Sequence, residues 1–156
     1  MQRFCLAVLG LWILTLLAGG WLFVAGVTKP SADGRTDVLL TPSERDQILG
    51  EMRHLLQSVH GIVTAPGSPE QHTSRKQAEQ AARAAGMGMA ADVNPMIMAK
   101  LPLAFKQMGM SVHKDFDGLA DAIANGASST QVLTSLSSIT SRCTTCHDLY
   151  RLSAER

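Results

Sequence analysis

From Phe4 to Thr28 the chain carries no charged side chain. The run FCLAVLGLWILTLLAGGWLFVAGVT is long enough to cross a bilayer as one helix, since about 20 apolar residues span roughly 30 Å of hydrocarbon. Trp12 and Trp21 lie in it, and Trp21 suits the outer interface. The positive charge ahead of it is the N-terminal amine and Arg3, so the positive-inside tendency keeps the N-terminus cytoplasmic and exports the rest. A cleaved signal peptide is the competing expectation. The apolar stretch exceeds the usual core of about 7–15 residues, and no convincing A-x-A site follows it. Residues 1–28 therefore read as an uncleaved transmembrane anchor. Cys5 falls inside the run and reads as inert apolar filler, with lipid attachment the lesser alternative.

What remains is one domain's worth of the 156 residues. A formal net charge of +1 gives no strong pull toward nucleic acid. Aromatic residues make up only 4%, while alanine, leucine and eight methionines dominate, which favours helices over sheets. No alternating run of useful length points to a strand. Residues 29–40, KPSADGRTDVLL, read as a linker rich in turn formers. The domain proper is expected over 41–156.

Caps and periodicity give that domain four helices. The first opens at Thr41, with Pro42 at the first helical position and Glu44 completing a capping box. Its apolar residues Ile48, Leu49, Met52, Leu55, Leu56, Val59, Ile62 and Val63 recur at three and four and predict one buried stripe. Gln47, Glu51, His54 and Ser58 are expected on the wet face. The second helix is expected with Ser68 as its cap and Pro69 inside, ending near Gly86. A looser stretch follows and restarts at Asn94-Pro95. The third runs from about Pro102 to Asn125, with Phe105, Met108, Val112, Phe116, Leu119, Ala120 and Ile123 on one side. The fourth starts at Ser128 with Gln131 in a second capping box. Its stripe is Val132, Leu136, Ile139, Cys143, His147 (or Cys146) and Tyr150. The expected fold is all-α: an antiparallel four-helix bundle preceded by one transmembrane helix.

The fourth helix carries the chemistry. In RCTTCHDLYR, two cysteines three apart are followed directly by a histidine, the attachment signature of a c-type haem. On a helix, the sulfurs of Cys143 and Cys146 project from nearly the same face and can reach two vinyl groups on one porphyrin edge. His147 is then placed under the iron as proximal ligand. The stripe puts the motif on the inside of the bundle. A structural zinc site would need a second ligand pair, and the chain has none, since Cys5 lies in the apolar run. A thioredoxin-like motif opens a helix after a strand, where the dipole lowers a thiol pKa, whereas this one closes a helix. A disulfide between the two cysteines would leave the histidine unexplained.

A four-helix domain with CTTCHDLYR near its end resembles the cytochrome c′ family, the class II c-type cytochromes. The resemblance covers about residues 41–152 and is strongest in the last helix. It implies one haem c held by Cys143 and Cys146 with His147 as axial ligand. It also implies that Arg151, four after the histidine, and the aromatic Tyr150 border the cofactor. The anchor is a departure, because many members are soluble periplasmic proteins. The localisation expected is a bacterial inner membrane, single-pass, with the haem domain in the periplasm. Homodimers are known among such proteins, but the outer face of the first helix gives no decisive apolar patch.

The resemblance also implies that the position opposite His147 is filled from the first helix. Met52 is central in that helix's stripe, and a thioether there raises the reduction potential. The plainer reading of Met52 is packing. His54, His60, His72 and His113 read as surface or wet-face residues. With Met52 as ligand the chain is an electron carrier working with redox proteins of a respiratory chain. With Met52 as packing it is a five-coordinate haem protein that binds small gases such as NO and CO. An accessory subunit of a respiratory complex is a third expectation. No nucleophile–base set and no phosphate-binding glycine loop suggest an enzyme.

Overall fold

The computed structural model describes residues 2–65 and 71–154. The expected Ser68 cap and Pro69 lie outside the described residues, as does the side chain of His72. The chain is mostly helical, with one N-terminal helix long and apolar enough to cross a membrane: α1, Gln2–Ala25. The helices α2 (Pro42–Thr64), α3 (Gln71–Ala84), α6 (Leu103–Ala124) and α7 (Ser129–Leu149) follow, with two short helices between α3 and α6, α4 (Met87–Ala91) and α5 (Pro95–Lys100).

The local signals fall where the sequence puts them. Thr41 accepts from the Glu44 amide while the Glu44 carboxylate accepts from the Thr41 amide at 2.8 Å. Ser128 and Gln131 repeat this box at the start of α7. Asn94 caps α5, accepting from the Met96 amide, with Pro95 just inside. Each device satisfies backbone N–H groups that a helix start leaves unpaired.

The packing runs α2 against α3, α3 against α6 and α6 against α7. One core cluster joins them, built on Ile62 of α2, Ala78, Ala82 and Ala85, Phe116, Leu119 and Ile123 of α6, and Leu136 and Ile139 of α7. Alanines let α3 approach closely on both sides; an added methyl on Gly61 would meet Ala81 at 3.0 Å. The fourth edge, between α2 and α7, has no comparable packing among the described residues.

The segment expected as a linker is structured. β1 (Thr28–Pro30) and β2 (Thr36–Leu40) form a hairpin, and β3 (Tyr150–Ala154) adds in parallel to β2. The sheet order is β1-β2-β3, with Thr36 opposite Tyr150. Val38 and Leu40 are fully buried in a second core cluster with Ile48, Ile97, Leu101 and Phe105. Three to five residues per strand are too few for alternation to show in the sequence. The partner that fixes β2 lies more than a hundred residues away. The last helix therefore stops at Leu149, and Tyr150 and Arg151 stand on a strand.

Ion pairs among Asp33, Arg35, Asp37 and Arg151 hold this sheet. Asp37, 2% exposed, receives a two-pronged bond from Arg151, Nε at 2.8 Å and Nη2 at 3.1 Å. Asp33 pairs with Arg35 at 2.7 Å. Arg151 holds the Asp37 carboxyl below its ordinary value of 3.8, and Arg35 depresses Asp33 in the same way. Groups depressed by folding stabilise above their unfolded pKa and lose that contribution as pH falls through it toward the folded value. The melting temperature is thus expected to drop on acidification below about pH 4. Asp37→Asn should lower it already at pH 7 and flatten part of that acid dependence. An Asp37→Asn chain as stable as the parent at pH 7 would contradict this role.

Two expectations about faces are overturned. Leu56 and Val63 are 68% and 51% exposed, whereas Ser58 is buried and Glu51 half-buried. The inner stripe of α2 is narrower than its apolar content: Ile48, Met52, Leu55, Val59 and Ile62 face in, while Leu56 and Val63, seven apart, share the outer flank. His113 is not on the surface either. It is 7% exposed, and its Nδ1 lies 2.7 Å from the Ala85 carbonyl, at the end of α3.

Candidate cofactor site

The open edge between α2 and α7 is a slot. One cavity, of ≈ 120 Å³, is lined by Ile48, Met52, Leu55, Phe105, Val112 and Cys143 among others. A second, of ≈ 210 Å³, is lined by Arg45, Leu49, Tyr150, Arg151 and Leu152 among others. Met52, Phe105, Cys146 and His147 line both, so the cavities are two ends of one slot.

Cys143 and Cys146 stand on the last turns of α7 with no disulfide between them. Both are half-buried, and the Cys143 thiol points back to the Ile139 carbonyl at 3.8 Å. Burial raises the Cys143 pKa, and burial together with the neighbouring Cys143 pushes Cys146 up to about 11. A thiol–disulfide catalyst needs the opposite, a thiolate favoured at neutral pH. The position at the C-terminal end of a helix works in the same direction as burial, because the dipole there opposes negative charge.

His147 follows on the same turn and is exposed at the slot's mouth rather than inside the helical array. Its carbonyl accepts from Arg35 Nη1 at 3.2 Å, which ties the end of α7 to the β1–β2 hairpin. Met52 is half-buried and packs on the second core cluster beside Cys146 and Tyr150. Tyr150 stands edge-on to Phe105, ring centroids 5.3 Å apart. The structure thus brings Met52, Cys143, Cys146, His147, Tyr150 and Arg151 to one slot. The Arg151 guanidinium is engaged by Asp37 as it borders it.

The sequence reading missed several lining residues. Arg35 and Arg45 stand at the same end as Arg151, and Arg45 Nε donates to the Leu152 carbonyl at 3.4 Å. Arg45 lies seven residues before Met52, two turns along the same face, and that spacing could have found it. Arg35 sits in a hairpin turn, where no periodicity marks it. Met108, His113 and Glu51 line the other end. Burial raises the Glu51 pKa.

No protein-family model matches the chain, and neither does any curated protein or solved structure.

The donor set suits a haem held by thioethers. It offers two thiols on one helix face, an imidazole directly after them and a thioether sharing their slot. Apolar walls flank these groups, and the guanidinium groups of Arg35, Arg45 and Arg151 line one end. A metal ion held by protein alone is less well served, as no cluster of three His, Cys, Asp or Glu side chains occurs among the described residues.

Proposed function

We propose that the chain is a membrane-anchored, periplasmic monohaem c-type cytochrome that passes single electrons through a His147/Met52-ligated haem. The observation that carries this reading is the shared slot: Met52 of α2 lines the same two cavities as Cys146 and His147 of α7. In this reading α2, α3, α6 and α7 work as a four-helix bundle of the cytochrome c′ kind, and the loosely packed α2–α7 edge is where the macrocycle is buried.

Haem in such a site supplies a one-electron iron couple. Each chain residue has a definable task. The Cys143 and Cys146 thiols would each add sulfur to one carbon of a vinyl group and hydrogen to the other, so nothing would leave and no oxidant would be consumed. His147 would hold the iron through an imidazole nitrogen. Met52 offers a neutral sulfur lone pair, which favours the ferrous state and raises the potential. Phe105, Ile48 and Leu55 exclude water, and a low local dielectric limits reorganisation around the iron. Arg45 meets carboxylate groups at the slot's end.

The anchor fits this role. Confinement to a membrane raises the effective concentration of partners that share it. The N-terminal amine and Arg3 are the only positive charges at the start of the apolar run, and by the positive-inside tendency they favour a cytoplasmic N-terminus with the haem domain in the periplasm.

An absorption spectrum of the ferrous protein with and without CO tests the proposal. With Met52 on the iron, the ferrous bands are sharp and CO adds slowly or not at all. Rapid CO binding by the unmodified protein would place the gas-binding reading, with Met52 as packing, ahead of electron transfer.

A further inference from the structure

The end of α1 is built into the domain rather than hung from it. Its last turn is closed by Gly26, whose amide donates to the Leu22 carbonyl at 2.8 Å. Gly26 has φ +65, and a Cβ there would lie 2.5 Å from the Lys100 carbonyl oxygen. No other residue fits that conformation and that approach together. Val27 donates to the same Lys100 carbonyl at 2.7 Å and accepts from Leu39 at 2.9 Å, so the chain passes from α1 into the sheet without a free link.

A buried cation completes the junction. Lys106 of α6 is 8% exposed, and its Nζ donates to the Phe23 carbonyl at 3.1 Å and lies 3.9 Å from the Phe23 ring centroid. It satisfies a carbonyl that the end of α1 leaves unpaired and places positive charge at the negative end of the helix dipole. The residue before it, Phe105, lines both ends of the slot. Side-chain reach and one Cα step put the Phe105 backbone within roughly 15 Å of the Phe23 carbonyl. Tyr150 follows α7 and packs on that same Phe105. Arg142 of α7 pairs with Asp115 of α6, while Tyr150, further along, meets the earlier Phe105; the two helices therefore run antiparallel, and the His147 end of α7 lies beside the start of α6.

We infer that the slot end of the domain rests on the bilayer surface, with the mouth at His147 at headgroup level and the Ser129 end of α7 away from it. The inference rests on α1 spanning the bilayer. The window Arg3–Ala25 is about 34 Å long as a helix, enough for the hydrocarbon core, so Gly26 emerges at its edge. A headgroup layer adds only about 5–8 Å beyond that. The exposed apolar side chains Met96 and Leu149, 65% and 49% exposed, lie at this end and suit such a surface. Electrons would then be exchanged with redox groups carried in the same membrane.

Thiol labelling of the full-length chain in phosphatidylcholine vesicles tests this. In a Cys5→Ala background, Leu149→Cys and Leu133→Cys each add one thiol, at positions 49% and 54% exposed. The two sites are about 24 Å apart along α7. Each is treated with a small thiosulfonate and with a maleimide on a long polymer too bulky to enter the headgroup layer. The expected result is that the bulky reagent reacts about tenfold more slowly at residue 149 than at residue 133, while the small one reacts similarly at both. Equal rates for the bulky reagent would overturn the placement. A chain released from the vesicles by a high-salt wash would overturn it too, by removing the anchor on which it rests. The haem reading is checked apart from this by the Cys5→Ala chain alone, in which thioether-bound Cys143 and Cys146 take no label.

Discussion

Replacing Cys143 and Cys146 together with alanine should give a chain that carries no covalent haem. Both thiols lie on one helix face and open on one slot. Without them only coordination by His147 and Met52 is left, which is not a thioether bond and does not survive denaturation. The helix itself should persist, because alanine is the strongest helix former and neither cysteine belongs to the buried set of α7, Leu136 and Ile139. Single replacements should leave haem on one thioether. Full-length chain in membranes, resolved by denaturing electrophoresis and stained for haem, reads this as all or nothing. A double-alanine chain that keeps haem through denaturation would contradict the assignment.

Met52→Leu should convert the ferric protein from low spin to high spin. Leucine keeps the bulk and the packing against the second core cluster but removes the sulfur lone pair. The near-infrared band of histidine–methionine ligation should vanish, and the ferrous form should bind CO rapidly. Met108 also lines the slot, on α6, which makes Met108→Leu the matched control. It should leave the spin state unchanged. Met52→Ala should open the slot further, at the lower end of the about 2–5 kcal/mol typical of buried methionines, because Met52 is only half-buried. If Met108→Leu and not Met52→Leu alters the spectrum, the sixth ligand comes from α6.

The parts of this structure legible in the sequence are those fixed within a few residues. The Thr41–Glu44 and Ser128–Gln131 boxes and the Asn94-Pro95 restart are contacts between near neighbours, and all three form. The buried side of α6 is legible because Phe105, Val112, Phe116, Leu119 and Ile123 keep one helical face, although Lys106 and His113 are buried with them. On α2 the apolar content is wider than the buried stripe, and only neighbours that the sequence does not name decide that Ser58 goes in and Leu56 out. The sheet was not legible, because TDVLL becomes a central strand only through a hairpin on one side and residues 150–154 on the other. That pairing also redirects Arg151 toward Asp37. His113 looked like a surface residue because its partner is a backbone carbonyl, which no residue type announces.

The central claim is the covalent bond between this chain and haem. Its most direct measurement is extraction of the unmodified full-length protein, produced in cells able to attach haem to c-type cytochromes, with acidified acetone. The account predicts that the colour stays with the precipitated polypeptide. Haem passing into the acetone, or a chain recovered without any haem, would contradict it.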